Sequence, residues 1–412
     1  MPKYHFSCIN CGRSYPSSEV VYTCKHCGGL LDVVYDFREM DAEEFLNSLT
    51  ERHLSIWRYF ELLPIENPSH IVSLSEGYTP LYRSVRIARD LGMRQLNFKY
   101  EGANPTGSFK DRGMSVGVSK ALSLGSRACV CASTGNTSAS MAAYATRAGL
   151  LPLVILPKRK VAIGKVAQAI AYGAKVIYID GSFDDALLAV KEATEKLPVY
   201  LLNSINPLRL EGQKTLAFEL FEQLLHSVPD VVVVPVGNAG NISAIWKGFV
   251  TLKKLGISEK LPRMVGVQAE GASPIVSALM NDNGFRPVES PNTVATAIRI
   301  GNPVNWPKAV AAIRDSGGCA VSVKDDEIIR AQKDLARGEG LFVEPASAAS
   351  LAGLRKCLEE GLIDNDESSV LVLTGSGLKD PDVVGEYYEP PMEMTECPEG
   401  VLRYIGNLMR VN

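Results

Sequence analysis

Residues 101–113 read EGANPTGSFKDRG, and how Lys110 is placed in this stretch decides how the rest of the chain is read. Pro105, Thr106 and Gly107 break the preceding segment, Ser108 suits a helix N-cap, and Asp111 stands three residues on, where a shortened capping box puts its acid. Met114, Val118, Ala121 and Leu122 then recur at helical spacing until Gly125 ends the helix. Lys110 thus falls in the first turn, at the positive end of the helix dipole, where a cation is disfavoured. With Phe109 and its neighbours removing water from the amine, the neutral form becomes available. A neutral amine is what Schiff-base chemistry needs. The ordinary alternative is a lysine whose head reaches solvent, but three further turns have to be explained with it.

Outward from this helix the chain repeats one grammar: a short apolar run, a glycine or asparagine turn, then an amphipathic stretch. That is the pattern of parallel βαβ units. The strands expected are ACVCA from 128, LPLVILP from 151, KVIYID from 175, VYLLN from 199, DVVVVPV from 230, RMVGVQA from 263 and SVLVLTG from 369. The charge runs Lys158-Arg159-Lys160 and Lys324-Asp325-Asp326-Glu327 read as solvated faces or helix starts. In open parallel sheets ligands gather beyond the carboxyl ends of the strands, so the turns there carry the chemistry. The turn ASTGNTSAS (132–140) opens a helix expected over Ser138–Ala148, with Asn136 and backbone donors at an anion-receptive edge. PVGNAGNIS (235–243) lets the backbone approach a ligand at Gly237 and Gly240, and the amides of 237–241 suit a phosphate. It lacks both the dinucleotide spacing and the P-loop lysine. LTGSGLKDP (373–381) sets Thr374 at a ligand-facing strand end.

Composition narrows the remaining choices. The 412 residues allow two or three domains, and 46% apolar with 22% charged residues is ordinary for a folded protein. No run of 18 apolar residues offers a membrane span, and the opening MPKYHFSCINCGRSYP is not a secretory signal, so a cytoplasmic enzyme is expected. A net charge of −3 gives no bulk reason to expect nucleic acid or membrane as a partner. Of nine cysteines, four fall as Cys8-x2-Cys11 and Cys24-x2-Cys27, spacing that sets four thiolates around one structural zinc ion. A reducing compartment argues against disulfides. The expected organisation is a zinc-ribbon-like segment over 1–36, a helical linker over 37–75 and a catalytic body over 76–412.

The stretches EGANPTGSFKDRG, STGNTSAS, PVGNAGN and TGSGLKDP, in this order, resemble the fold-type II pyridoxal-phosphate enzymes, and among them the threonine synthase group. The resemblance runs from about Tyr78 to Asp382, and some microbial members carry an N-terminal cysteine ribbon. It implies two doubly wound open α/β domains with the cofactor in the cleft, the smaller over about 112–205 and the larger over about 76–111 and 206–390. Lys110 would carry pyridoxal 5'-phosphate in Schiff-base linkage. Asn136 would contact its ring hydroxyl, Gly237, Asn238, Ala239, Gly240 and Asn241 would hold its phosphate, and Thr374 would bond the pyridine nitrogen. A hydroxyl there does not enforce the pyridinium as a carboxylate would, which favours elimination and replacement over transamination.

The implied substrate is O-phospho-L-homoserine. AIGKVAQA (162–169), with Lys165, and LLNSINPLRLEGQKT (201–215), with Ser204 and Arg209, resemble the family's second anion site, joined by Ser133, Thr134, Thr137 and Asn238. A guanidinium fork suits a phosphate dianion. AIRIGNPVNW (297–306) is characteristic of the same group, with no role assigned to Arg299 or Asn302, and Ser376 replaces the histidine or asparagine of many relatives. The implied reaction has Lys110 remove the α- and then a β-proton, phosphate leave the γ-carbon, and water add at the β-carbon to give L-threonine. A homodimer is the expected assembly. The alternatives are a threonine or serine dehydratase, which needs no second anion site, and a ribbon-bearing binding protein with an idle α/β body.

Overall fold

The computed structural model describes residues 3–158, 163–181, 183–280, 284–390 and 399–411. The ribbon is a three-stranded antiparallel sheet of β1 (Tyr4–Cys8), β2 (Ser14–Pro16) and β3 (Leu31–Tyr35), in the order β2-β1-β3. Short helical turns follow, the longest being Ala42–Ser48 and Ile56–Leu62. β4 (Leu81–Arg83) and β5 (Leu96–Tyr100) then lead to the helix Lys110–Ser123.

A four-stranded parallel sheet comes next, built from β6 (Ala128–Cys131), β7 (Leu151–Pro157), β8 (Lys175–Ile179) and β9 (Val199–Leu201) in the order β8-β7-β6-β9. After the helices Pro207–Gln213 and Thr215–Gln223 the chain adds β10 (Val231–Pro235), β11 (Arg263–Ala269), β12 (Cys319–Val323) and β13 (Ser369–Leu373). These join β4 and β5 in a six-stranded sheet ordered β12-β11-β10-β13-β5-β4, parallel except at the β4 edge.

All seven strands expected from the sequence form. The fully buried runs of β6, β10 and β13 belong to parallel strands covered on both faces, whereas β8, at the edge of its sheet, is largely exposed. In β10, Val231 and Val233 point into one core with Val265, Val267 and Leu371, while Val232 and Val234 point into the other with Met264, Val370 and Val372. β5 and β12 escaped the sequence reading because Asn97 and Lys99 interrupt one and the other is a short CAVSV. The run 324–327 does start a helix, Asp325–Glu339, where Glu327 accepts from the Lys324 amide at 2.6 Å. Arg159 and Lys160 lie outside the described residues.

Residues Pro381–Asn412 form a second compact unit, with helices Asp382–Tyr387 and Glu399–Val411. Among the described residues no helix is long and apolar enough to cross a membrane.

Candidate active site

Lys110 is the first residue of its helix, as expected, but the cap differs from the sequence reading. The N-cap position is Phe109, in helical conformation, and no side chain caps it. The Asp111 carboxylate instead accepts from the Thr106 amide at 2.7 Å, from Thr106 Oγ1 at 2.5 Å and, across to the next helix, from Ser140 Oγ at 2.5 Å. That helix spans Asn136–Arg147, two residues earlier than expected, so Asn136 opens it rather than preceding it. Burial raises the Asp111 carboxyl to about 6, against the pull of its hydroxyl and amide donors.

Residues 107–109 run antiparallel to 374–376: the Phe109 amide donates to Thr374 O at 3.0 Å and the Ser376 amide to Gly107 O at 2.9 Å. The Lys110 and Thr374 turns are thereby fastened together. Ser376 itself caps the short turn Gly377–Lys379 through its hydroxyl.

A carboxylate that the sequence did not single out sits between the expected cofactor contacts. Glu344, buried just before the helix Pro345–Glu359, accepts from Asn136 Nδ2 at 3.0 Å and from Thr374 Oγ1 at 3.3 Å. Ser347 Oγ lies 2.9 Å from Thr374 Oγ1 and donates to Gly375 O. Asn136 thus joins Glu344 and Thr374, both more than 200 positions further along the chain, in one hydrogen-bonded group. Burial raises the Glu344 pKa, partly offset by Asn136 and by the Lys110 and Lys379 ammoniums.

The Lys110 amine lies over the Phe109 ring at 3.6 Å. Burial first, then the cations Arg209 and Lys379, push its pKa down to about 7, while Glu344 pulls the other way. Neutral amine is therefore abundant at neutral pH, with the expected desolvation as the largest cause and two neighbouring cations, not foreseen from the sequence, adding to it.

Arg209 reaches this point because the helices Lys110–Ser123 and Pro207–Gln213 touch backbone to backbone. A Cβ on Gly113 would stand 2.7 Å from Arg209 O, and one on Gly212 only 1.9 Å from Arg112 O, so neither position admits a side chain without a shift. Arg209 is buried and donates from Nη1 to Leu202 O at 3.2 Å, its Nε has no partner, and among the described residues no carboxylate pairs with it. Burial lowers even this guanidinium to about 10. Two residues beyond Lys110, Arg112 is fully buried and answered by acids: it donates to Glu101 at 2.6 and 2.7 Å and to Glu219 at 2.7 Å, while Lys99 donates to Glu219 at 2.8 Å. Two acids and two bases close this group without surplus charge, which makes the uncompensated Arg209 stand out.

The 237–241 turn precedes the helix Gly240–Lys254. Ala239 is left-handed (φ 65°) with no side-chain cap, a conformation that gathers successive amides toward one point. A Cβ at Gly237 would meet Ala297 O at 3.0 Å. Asn305 ties this turn to the expected second anion site: its amide donates to Asn238 O at 3.1 Å and its Nδ2 to Ser204 O at 2.9 Å. The sequence reading singled out this segment without assigning a role to Arg299 or Asn302; both are exposed, and Asn305 makes the link. Ser133, Thr134 and Thr137 lie half-buried where β6 passes into the helix Asn136–Arg147. Lys165 falls in the helix Ile163–Ala171, and its side chain lies outside the described residues.

In the ribbon, the sulfurs of Cys8, Cys11, Cys24 and Cys27 lie within 4.8 Å of one another, with Cys8–Cys27 at 3.5 Å, Cys11–Cys24 at 3.6 Å and Cys11–Cys27 at 3.5 Å. Zinc–thiolate bonds of roughly 2.3 Å at tetrahedral angles separate sulfurs by about 3.8 Å, so the four thiols fit a zinc ion.

A family model for "pyridoxal-phosphate dependent enzyme" matches residues 72–375, and the chain belongs to that family. A threonine synthase from Methanocaldococcus jannaschii is 57% identical over 399 residues, covering 97% of this chain and 98% of its own. Another from Methanosarcina acetivorans is 56% identical over 389 residues, covering 94% and 95%. Maize serine racemase shares the fold, with a TM-score of 0.64 at 23% identity over 75% of this chain and 91% of its own.

The residues fit the cofactor that this family uses. Among the described residues, the buried atoms without a protein partner include Ser108 Oγ, two residues before Lys110, Arg209 Nε and Gln213 Oε1 on the Pro207–Gln213 helix, and both side-chain polar atoms of Asn241 in the 237–241 turn. Buried polar groups are normally satisfied, and orphans on these elements mark where a polar ligand belongs.

Proposed function

We propose that the protein is a threonine synthase, converting O-phospho-L-homoserine and water to L-threonine and phosphate. The relatives' names support this reading, and the observation that carries it is the buried, carboxylate-free guanidinium of Arg209 beside Lys110. A dehydratase acting on serine or threonine has no need of a second anion site, whereas a phosphate ester does.

Bound pyridoxal phosphate supplies an electron sink that makes protons on carbons near the substrate's amino group removable. Lys110 would hold it, with Asn136 and Thr374 at its ring and the 237–241 amides at its phosphate. Lys110 Nζ, about half neutral at pH 7, takes the proton from the substrate α-carbon and, after passing it on, one from the β-carbon; once phosphate has left, a proton is returned at the γ-carbon, water adds its hydroxyl at the β-carbon, and a proton is returned at the α-carbon to give threonine. Arg209, with Ser204, Thr137, Asn238, Ser133, Thr134 and Lys165, anchors the substrate phosphate and then the leaving dianion. Glu344 fixes the Asn136 amide and the Thr374 hydroxyl in their orientations. The four ribbon thiolates would hold zinc as a structural ion, since they include no open ligand position.

In this reading the smaller domain covers about 112–205 and the larger about 76–111 and 206–390, and the enzyme works as a cytoplasmic homodimer. The test is a product assay with O-phosphohomoserine: threonine and inorganic phosphate should appear in equal amounts. Deamination of threonine or serine with the phosphate ester left untouched would sink the proposal.

A further inference from the structure

The ribbon does not rest on the body through an apolar face alone. Asp32, on β3, accepts from Lys247 at 2.8 Å and from Lys308 at 3.4 Å. Lys247 also donates to Val33 O at 2.7 Å and to Glu211 at 2.6 Å, and Tyr35 donates to Glu211 at 2.8 Å. Glu211 in turn holds Lys214 at 2.5 Å. The body's partners lie on the helices Gly240–Lys254, Trp306–Asp315 and Pro207–Gln213, the last with Glu211 two residues from Arg209.

This cluster is a poor device for stability alone, because desolvating charges offsets much of what their attraction returns. Its strength is register. Two of the contacts along this path have almost no side-chain padding: a Cβ on Gly248 would lie 2.4 Å from Lys214 O, at the end of the Pro207–Gln213 helix, and Gly212 of that helix abuts Arg112 on the Lys110–Ser123 helix. Interiors packed this closely pass displacements on rather than absorb them. On the ribbon side, β1 and β3 pair Cys8 with Leu31 and Ser7 with Asp32, so one ladder step separates a metal thiolate from the gripping carboxylate.

We propose that the cysteine ribbon is a positioning element of the active site: through Asp32 it holds in register the helices that carry Arg209 and follow the 237–241 turn, so metal occupancy at the four thiolates sets the affinity for a phosphate-bearing substrate. The inference rests on the reading of Arg209 as the phosphate anchor. Asp32 is a positioning residue, acting through Lys247 and Glu211, and touches no substrate.

The experiment is a coupling cycle on the full-length holoprotein, with inorganic phosphate as the probe and calorimetry as the readout. Its four corners are wild type and Asp32→Asn, each with zinc and after chelation. Asp32→Asn and zinc removal should each weaken phosphate binding by about three- to thirtyfold, and together by no more than the larger alone. Cofactor absorbance and, in Asp32→Asn, zinc content should be unchanged. The KM for O-phosphohomoserine should rise in parallel while kcat holds within about twofold, and Asp32→Glu should recover most of the affinity. Unchanged affinity overturns the inference, as do independent, multiplying effects. Tighter binding overturns it too, because removing a carboxylate then acts only through local potential. A wild type that binds no phosphate refutes the role of Arg209 itself, a failure distinct from that of the ribbon.

Discussion

Arg209→Ala separates anion binding from cofactor binding, and the structure sets its size. Among the described residues the guanidinium makes one hydrogen bond, to Leu202 O at 3.2 Å, and has no carboxylate partner. Removing it leaves no buried acid unpaired and relieves an uncompensated buried cation, so stability should change by no more than about 1 kcal/mol. Catalysis should respond quite differently. Loss of a charge-assisted anchor on a phosphate dianion costs roughly 2–4 kcal/mol of transition-state binding, or about thirty- to a thousandfold in kcat/KM for O-phosphohomoserine. Cofactor absorbance should persist if, as proposed, the 237–241 turn holds the cofactor phosphate separately, and Arg209→Lys should recover little because it lacks the fork. Steady-state assays with threonine and phosphate detection, alongside absorbance and thermal melts, measure all three. A variant that keeps kcat/KM within about threefold, or loses cofactor instead of activity, refutes the reasoning.

The depressed Lys110 pKa predicts that apoprotein captures pyridoxal phosphate with a rate that rises with pH and levels off above about 7, rather than near the ordinary 10.5. The sign follows from protonation: below the folded pKa the amine is an ammonium and cannot react, and Arg209→Gln, which deletes a neighbouring cation, should move the midpoint upward; a wild-type midpoint above about pH 9 would count against the assignment. Borohydride reduction of the holoprotein followed by peptide mapping should label Lys110, and Lys110→Ala should abolish turnover with the melting temperature nearly unchanged, since alanine suits a first helical turn. Freshly purified reduced protein should hold one zinc per chain, and less than about half an equivalent contradicts a tetrathiolate site. Gly212→Ala should cost at least about 2 kcal/mol or fail to fold, because its Cβ would lie 1.9 Å from Arg112 O; a melt within about 2 °C of wild type would show that the two helices can separate.

What the sequence revealed and what it withheld follow from the range of the interactions involved. The four turns were legible because each follows a buried strand through neighbouring residues, and local chemistry marks such a junction: small Gly237 and Gly240, and Lys110 at a helix start. The cysteine pairs were legible for the same reason, through a spacing of two. Asp111 was misread because its partners are not all local. One is Thr106, five residues back, but another is Ser140 on a different helix, and two such acceptor contacts outweigh a cap on its own. Glu344 was missed entirely, since EPASAAS reads as an ordinary helix start until folding brings it to Asn136 and Thr374.

The same holds for Asp32. Nothing in its strand marks it, and its importance lies in Lys247 and Glu211, more than 170 positions away. Charge placement explains the difference between the two buried ionic groups. Around Arg112 the acids and bases balance, whereas Arg209, among the described residues, has no carboxylate partner. An uncompensated buried guanidinium is tolerated only where an anion arrives to meet it. In the proposed reading, that deficit of one negative charge, set beside an amine whose pKa burial lowers to about 7, is what a phosphate-bearing substrate would meet.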